Sequence, residues 1–109
     1  MNISQQPDAL CILKITDGDH VYYKLFASWR SDDRWKINSG VSGVTEDENY
    51  YYFYGFTGSC YQCAKGFYGT ATFYNSMILD NIIEKSDDMV ELMDKKTDWV
   101  GLIGSGNEI

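Results

Sequence analysis

The sequence predicts an α+β protein, an antiparallel β-sheet of about five strands with one helix packed on it in the C-terminal half. Three observations predict it. Apolar residues alternate with polar ones through most of the first two-thirds of the chain, the period of a half-buried strand. Acidic and glycine-bearing turns punctuate those runs at short intervals. After Gly66 the apolar spacing changes to that of a helix. At 109 residues the chain is read as a single domain, 1–109, with one modest core. Segments 1–8 and 104–109 are expected to be flexible ends.

Residues Met1–Asp8 are polar and hold the single proline, so they read as a loose arm. Ala9, Cys11, Leu13 and Ile15 alternate with Leu10, Ile12 and Lys14 in a first strand. Thr16-Asp17-Gly18-Asp19 then signals a hairpin, because Asp-Gly tolerates the positive φ of a tight turn. In the second strand Val21, Tyr23, Leu25, Ala27 and Trp29 form an apolar face. Arg30–Asp33 is a charged turn, and a third strand runs from Trp35 through Ile37 and Ser39 to Val41. Gly40 and Gly43 predict a bulge or bend at its end.

After an acidic turn at Thr45–Asn49 comes NYYYFYGFTGSCYQC, Asn49–Cys63, the most distinctive stretch of the chain. Aromatic residues favour a pleated strand. Tyr50, Tyr52, Tyr54 and Phe56 share one side of it, Tyr51 and Phe53 the other, which predicts a central strand covered on both faces. Gly58-Ser59 turns into a short strand, Cys60–Lys65. Ala71, Tyr74, Ile78, Leu79 and Ile82 then recur at helical spacing, with Ser76, Asp80 and Glu84 opposite, giving a helix over about 72–85. That helix is expected to cover the sheet, which then needs no second sheet. Met89, Val90, Leu92 and Met93 fit a helical turn, but the segment is short and lies between turn-like acidic clusters, so a short strand is preferred, with Trp99–Ile103 as an anchor. The expected core is Val21, Tyr23, Leu25, Trp29, Ile37, Phe53, Ile78 and Ile82.

The net charge of −7 and pI near 4.4 argue against nucleic-acid binding, which needs a basic footprint. The acidity is uneven: residues 80–109 carry eight carboxylates against three lysines, net −5, and the first 79 residues the remaining −2. An acidic end can steer onto a basic protein partner. No apolar window reaches a membrane span, and MNISQQPDALCILKI lacks the charged and apolar regions of a secretory leader. With three cysteines, an odd number, no disulfide framework is expected, and the protein is read as cytoplasmic.

Chemistry is weakly signalled. Cys60-x-x-Cys63 needs two further soft ligands for zinc, and Cys11 and His20 are the candidates. Residues three apart on a straight strand face opposite ways, and Tyr61-Gln62 supplies no turn, so no metal and no cofactor are expected. His20 sits in a turn beside aspartates, the setting of a solvated group, and no nucleophile elbow or phosphate loop occurs. The chain is therefore read as a non-enzymatic binding protein with two surfaces. One is aromatic, from Tyr50, Tyr52, Tyr54 and Tyr61. The other is acidic, from Asp80, Glu84, Asp87, Asp88 and Glu91. A structural or self-associating module, such as a homodimer, is the alternative, with a small zinc module behind it.

The run YYKLFASW, RWKINSGV, an acidic turn and YYYFYGFTGSCYQC, spanning Tyr22–Tyr68, resembles small accessory proteins encoded by tailed bacteriophages. The resemblance is one of texture: short strands, tryptophans and tyrosines, acidic hairpins. It implies a non-enzymatic protein that binds a host factor, often to block a defence system such as restriction or CRISPR, and it carries no individual residue across.

Overall fold

Strand β1, Ala9–Asp17, lies at the middle of a three-layer stack. The computed structural model describes residues 2–104. The run Ala-Leu-Cys-Ile-Leu in β1 is apolar at every position, the pattern of a strand covered on both faces. Leu10 and Ile12 point into one core, Cys11, Leu13 and Ile15 into a second. β1 pairs over its full length with β2, His20–Ser28, through a tight turn at Gly18, whose φ of +62° suits glycine. A single 3₁₀ turn at Ser31–Asp33 leads to β3, Trp35–Ile37, on the outer side of β2.

The expected third strand then breaks. Asn38 is buried; its side-chain oxygen accepts from the Leu25 amide at 2.8 Å and its amide donates to the Gly40 carbonyl at 3.3 Å. The chain leaves the sheet at this point. Gly40, at φ +143°, carries it across, and a Cβ there would overlap the Phe56 ring. The next strand, β4, Val41–Glu46, has a bulge between Val41 and Gly43 and belongs to a second sheet. β5, Tyr50–Gly55, and β6, Cys60–Ala64, complete it in the order β4-β5-β6. A one-sheet pattern is not enough because β1 and β2 are apolar on both faces, and a helix covers only one.

Helix α1, Phe73–Glu84, covers the other face. Its start is set by Thr72, whose hydroxyl accepts from the Asn75 amide while the Asn75 side chain accepts from the Thr72 amide. Asn75, fully buried, also donates to the Asp33 carbonyl at 2.8 Å, tying the helix start to the 3₁₀ turn. Strand β7, Val90–Leu92, adds to β1, so the larger sheet runs β3-β2-β1-β7. Helix α2, Trp99–Ile103, inserts Trp99 into the core between the sheets, stacked on Tyr68 at 5.7 Å. The α+β class with antiparallel strands holds; the strands number seven in two sheets among the described residues.

Most of the expected core is in place: Leu25, Trp29 and Phe53 are buried, and Tyr23, Ile37, Ile78 and Ile82 pack against the clusters. Val21 is not. It is 51% exposed, because the tip of the β1–β2 hairpin extends past both covering layers. The N-terminal segment, expected as a loose arm, runs along β6: the Ser4 amide donates to the Cys60 carbonyl at 2.8 Å and the Gln62 amide to the Gln5 carbonyl at 3.0 Å. At the other end of that sheet the Val44 amide donates to the Gly104 carbonyl at 2.7 Å. Residues 105–109, most of the expected C-terminal tail, lie outside the described residues.

Candidate functional site

The aromatic stretch builds one side of the molecule. β5 is the middle strand of the smaller sheet, but the sheet covers it within its plane and the core covers one face; the other face is open, which corrects the expectation of a strand covered on both. Phe53 is buried and Tyr51 packs inward. Tyr50, Tyr52 and Tyr54 are half-buried on the outer face. Tyr61 does not join them. It lies opposite Phe53 in register and is 1% exposed in the core between the sheets. Its own alternation, odd relative to Cys60 and Gln62, was the available signal.

The outer tyrosines are held by neighbours. The Tyr52 hydroxyl donates to Asp47 Oδ2 at 2.7 Å and accepts from Gln62 Nε2 at 3.4 Å, and Gln6 Nε2 donates to Gln62 Oε1 at 2.8 Å. The Tyr54 and Thr45 hydroxyls share a hydrogen bond at 3.1 Å. Asp47 also accepts from the Asn49 and Tyr50 amides. The Tyr52 hydrogen bond, then these two amides, hold the Asp47 carboxyl below its ordinary pKa. On the other side of the sheet, beside Tyr51, Lys65 pairs with Glu46, a contact of 2.6 Å that raises the lysine pKa. The result is an internally hydrogen-bonded surface that carries the Asp47 carboxylate at one end.

The acidic residues belong to the opposite layer. α1 buries Asn75 and Leu79 and packs Ile78, Ile82 and Ile83 against the sheet. That leaves Phe73, Met77, Asp80 and Glu84 on its outer side, three or four residues apart. Phe73 is 81% exposed, Met77 55% and Tyr74 49%. Tyr74, placed by spacing in the buried stripe, thus lies toward solvent, because the stripe centres on Asn75 and Leu79. Asp87 and Asp88 follow in the turn after the helix, both exposed and both in the left-handed region, at φ 54° and 69°. Glu91 parts from this group: it lies opposite Lys14 in register, on the β7 face away from Val90, which packs beneath α1. The two ion pairs among the described residues, Arg30–Asp8 and Lys65–Glu46, involve none of these carboxylates.

The tyrosine face and the acidic helix face therefore stand at opposite ends of the stack and cannot form one continuous footprint. Sequence reasoning missed Phe73 and Met77. The signal was present, an apolar pair four residues apart in phase with Asp80 and Glu84.

The thiols are separated by layer. Cys11 lies in the helix-side core, Cys63 in the core between the sheets, and Cys60 on the opposite side of β6 beneath the N-terminal segment. Burial pushes the Cys11 thiol up to about 12, against a hydrogen bond to the Gly69 carbonyl, and raises those of Cys60 and Cys63 as well. All three are protonated at neutral pH and poor nucleophiles. His20 is exposed at the hairpin tip, and no cluster of three metal-ligating side chains occurs among the described residues. One cleft of about 280 Å³ opens between the sheets, walled by Tyr51, Tyr68 and Trp99 with Lys65 and Lys95 at its mouth. No helix among the described residues is long and apolar enough to cross a membrane.

Comparison with known proteins matches this chain to no family model, no curated protein and no solved structure.

Proposed function

We propose that the protein is a non-enzymatic binding protein that docks a basic protein partner on the outer face of α1. The observation that carries this is the exposure of Phe73, Tyr74 and Met77 beside Asp80, Glu84, Asp87 and Asp88, carboxylates without an ion-pair partner among the described residues. Burying a side chain such as Phe73 contributes about 1.5–3 kcal/mol. The adjacent carboxylates steer a basic partner and orient it. Protonated, dispersed thiols and a solvated histidine support binding over catalysis. The resemblance of Tyr22–Tyr68 to phage accessory proteins supports the finer role: an inhibitor acting in the host cytoplasm on a macromolecule such as a defence complex.

The test is capture from bacterial lysate at moderate salt, comparing the wild type with a Phe73→Ser/Met77→Glu pair and with Tyr52→Ala. The expected result is a partner with a basic surface, lost with the α1 pair and kept with Tyr52→Ala. Capture that survives the α1 changes overturns the docking face. A second reading, self-association, is favoured by the half-buried rings of Tyr50, Tyr52 and Tyr54, which lie on the opposite layer from the acidic helix face of a −7 chain. A concentration-dependent homo-oligomer abolished by Tyr52→Ala would select it.

A further inference from the structure

Resting on the docking face just described, we infer that the groove on the outer side of α1 is the seat of an arginine side chain from the partner. The groove is lined by Tyr74, Met77, Ile78, Asp80, Asn81 and Glu84. Its lining is divided by chemistry. Tyr74, Met77 and Ile78 offer an aromatic and aliphatic wall; Asp80 and Glu84 offer two carboxylates and Asn81 an amide. A side chain that fits must carry a long apolar stem and a cationic head, which restricts the occupant to lysine or arginine.

Three features select arginine. A planar guanidinium stacks on an aromatic ring while its edge makes hydrogen bonds, and a compact ammonium does not. Asp80 and Glu84 stand four apart on the helix, about 5–6 Å between Cβ atoms. A fork with five donors spans that separation, whereas an ammonium engages it as a point charge. The Asn81 side-chain oxygen is an additional acceptor within the same lining.

The charges of the helix also call for a cation here. Negative charge is unfavourable at a helix C-terminus, where the peptide dipoles already present their negative end. Glu84 is the last residue of α1 and Asp80 lies one turn before it; among the described residues the one basic residue at this end, Lys85 at the C-cap, makes no ion pair with either carboxylate. A guanidinium in the groove offsets both carboxylates and the dipole together. The same charge excludes other occupants: a second copy of this chain, a phosphate backbone or an anionic lipid surface would each bring like charge to it.

The test uses two short amphipathic peptides with leucine along one face, identical except that one carries arginines and the other lysines on the flank. Each is titrated into isotope-labelled protein and followed by backbone amide shifts. The arginine peptide should move the amides of Tyr74–Glu84 and bind about fivefold or more tightly than its lysine twin. Tyr74→Ala or Glu84→Gln should erase that preference, with Tyr52→Ala, on the opposite layer, leaving it intact. Both α1 positions are solvent-facing, so the variants keep the fold, which the unshifted remainder of the spectrum verifies. Equal affinity for the two peptides, with shifts still confined to α1, overturns the arginine seat and leaves the docking face standing. Shifts elsewhere, or none with either peptide, overturn both.

Discussion

The two faces of this protein are both aromatic, yet they are finished differently. On the smaller sheet, Tyr52 is bonded to Asp47 and Gln62, and Tyr54 to Thr45, so the rings are fixed and their polar atoms satisfied within the chain. On α1, Phe73 and Met77 stand largely in solvent, and the carboxylates beside them have no cation among the described residues. The tyrosine face has a structural task, covering the outer side of a three-stranded sheet. The helix face has no such task, and its apolar area costs solubility. The contrast separates aromatic content from available apolar area: the tyrosine rings are used within the sheet, whereas Phe73 and Met77 stay largely exposed among the described residues.

The largest expected effect breaks the contrast most directly. Phe53→Ala, on the inner side of β5, should lower unfolding free energy by about 3–5 kcal/mol. Phe73→Ala should stay within about 0.5 kcal/mol, as for a surface change. Urea denaturation of both variants measures this. A comparable loss at Phe73 would mean that the helix face is part of the fold and not free for a partner.

A smaller effect tests whether the tyrosine face is held by its own network. Asp47 has a folded-state pKa below its unfolded value, chiefly through Tyr52. Its contribution is therefore fully present above the unfolded pKa and is lost as pH falls from about 4 through the lower folded value. Asp47→Asn should show a flatter decline of stability over that acid range, and Tyr52→Phe should flatten it in the same direction. Thermal melts from neutral to acid pH measure this; parallel curves for wild type and Asp47→Asn would mean that the network does not hold the face.

The smallest effect on stability concerns the acidic turn. Asp87→Asn with Asp88→Asn keeps side chains that tolerate the left-handed backbone, so unfolding free energy should change by no more than about 0.5 kcal/mol. Association with a basic partner should nonetheless slow and lose part of its salt dependence. Stopped-flow rates at two ionic strengths check it, and an unchanged rate would remove Asp87 and Asp88 from the docking face.

Where the sequence was legible, local rules decide the outcome. The Asp-Gly hairpin follows from turn chemistry, the span of α1 from its apolar spacing and the Trp99 anchor from a lone bulky residue. Val90–Leu92, which fits a helical turn as well, is drawn into a strand by pairing with β1. The second sheet was illegible for a different reason. Asn38 reads as an ordinary polar position in an alternating run, and only the tertiary hydrogen bond to the Leu25 amide turns it into a break. The same limit applies to the site. Asp80, Glu84, Asp87 and Asp88 were visible as charge, but the layer that separates them from Tyr50, Tyr52 and Tyr54 exists only once two sheets and a helix are stacked. Tyr61 and Glu91 went astray by strand phase, each on the opposite face of its strand from the group assigned to it.

The treatment of the strand edges bears on how this molecule behaves when concentrated. An uncovered edge is a row of free amides and carbonyls, onto which another chain adds a strand. In the smaller sheet Ser4 and Gln5 occupy the β6 edge and Gly104 bonds to β4. The larger sheet ends in β3 and β7, each three residues long. A passing chain thus finds at most a brief foothold. A protein rich in tyrosine and in strand thereby offers little edge on which a fibre could be seeded.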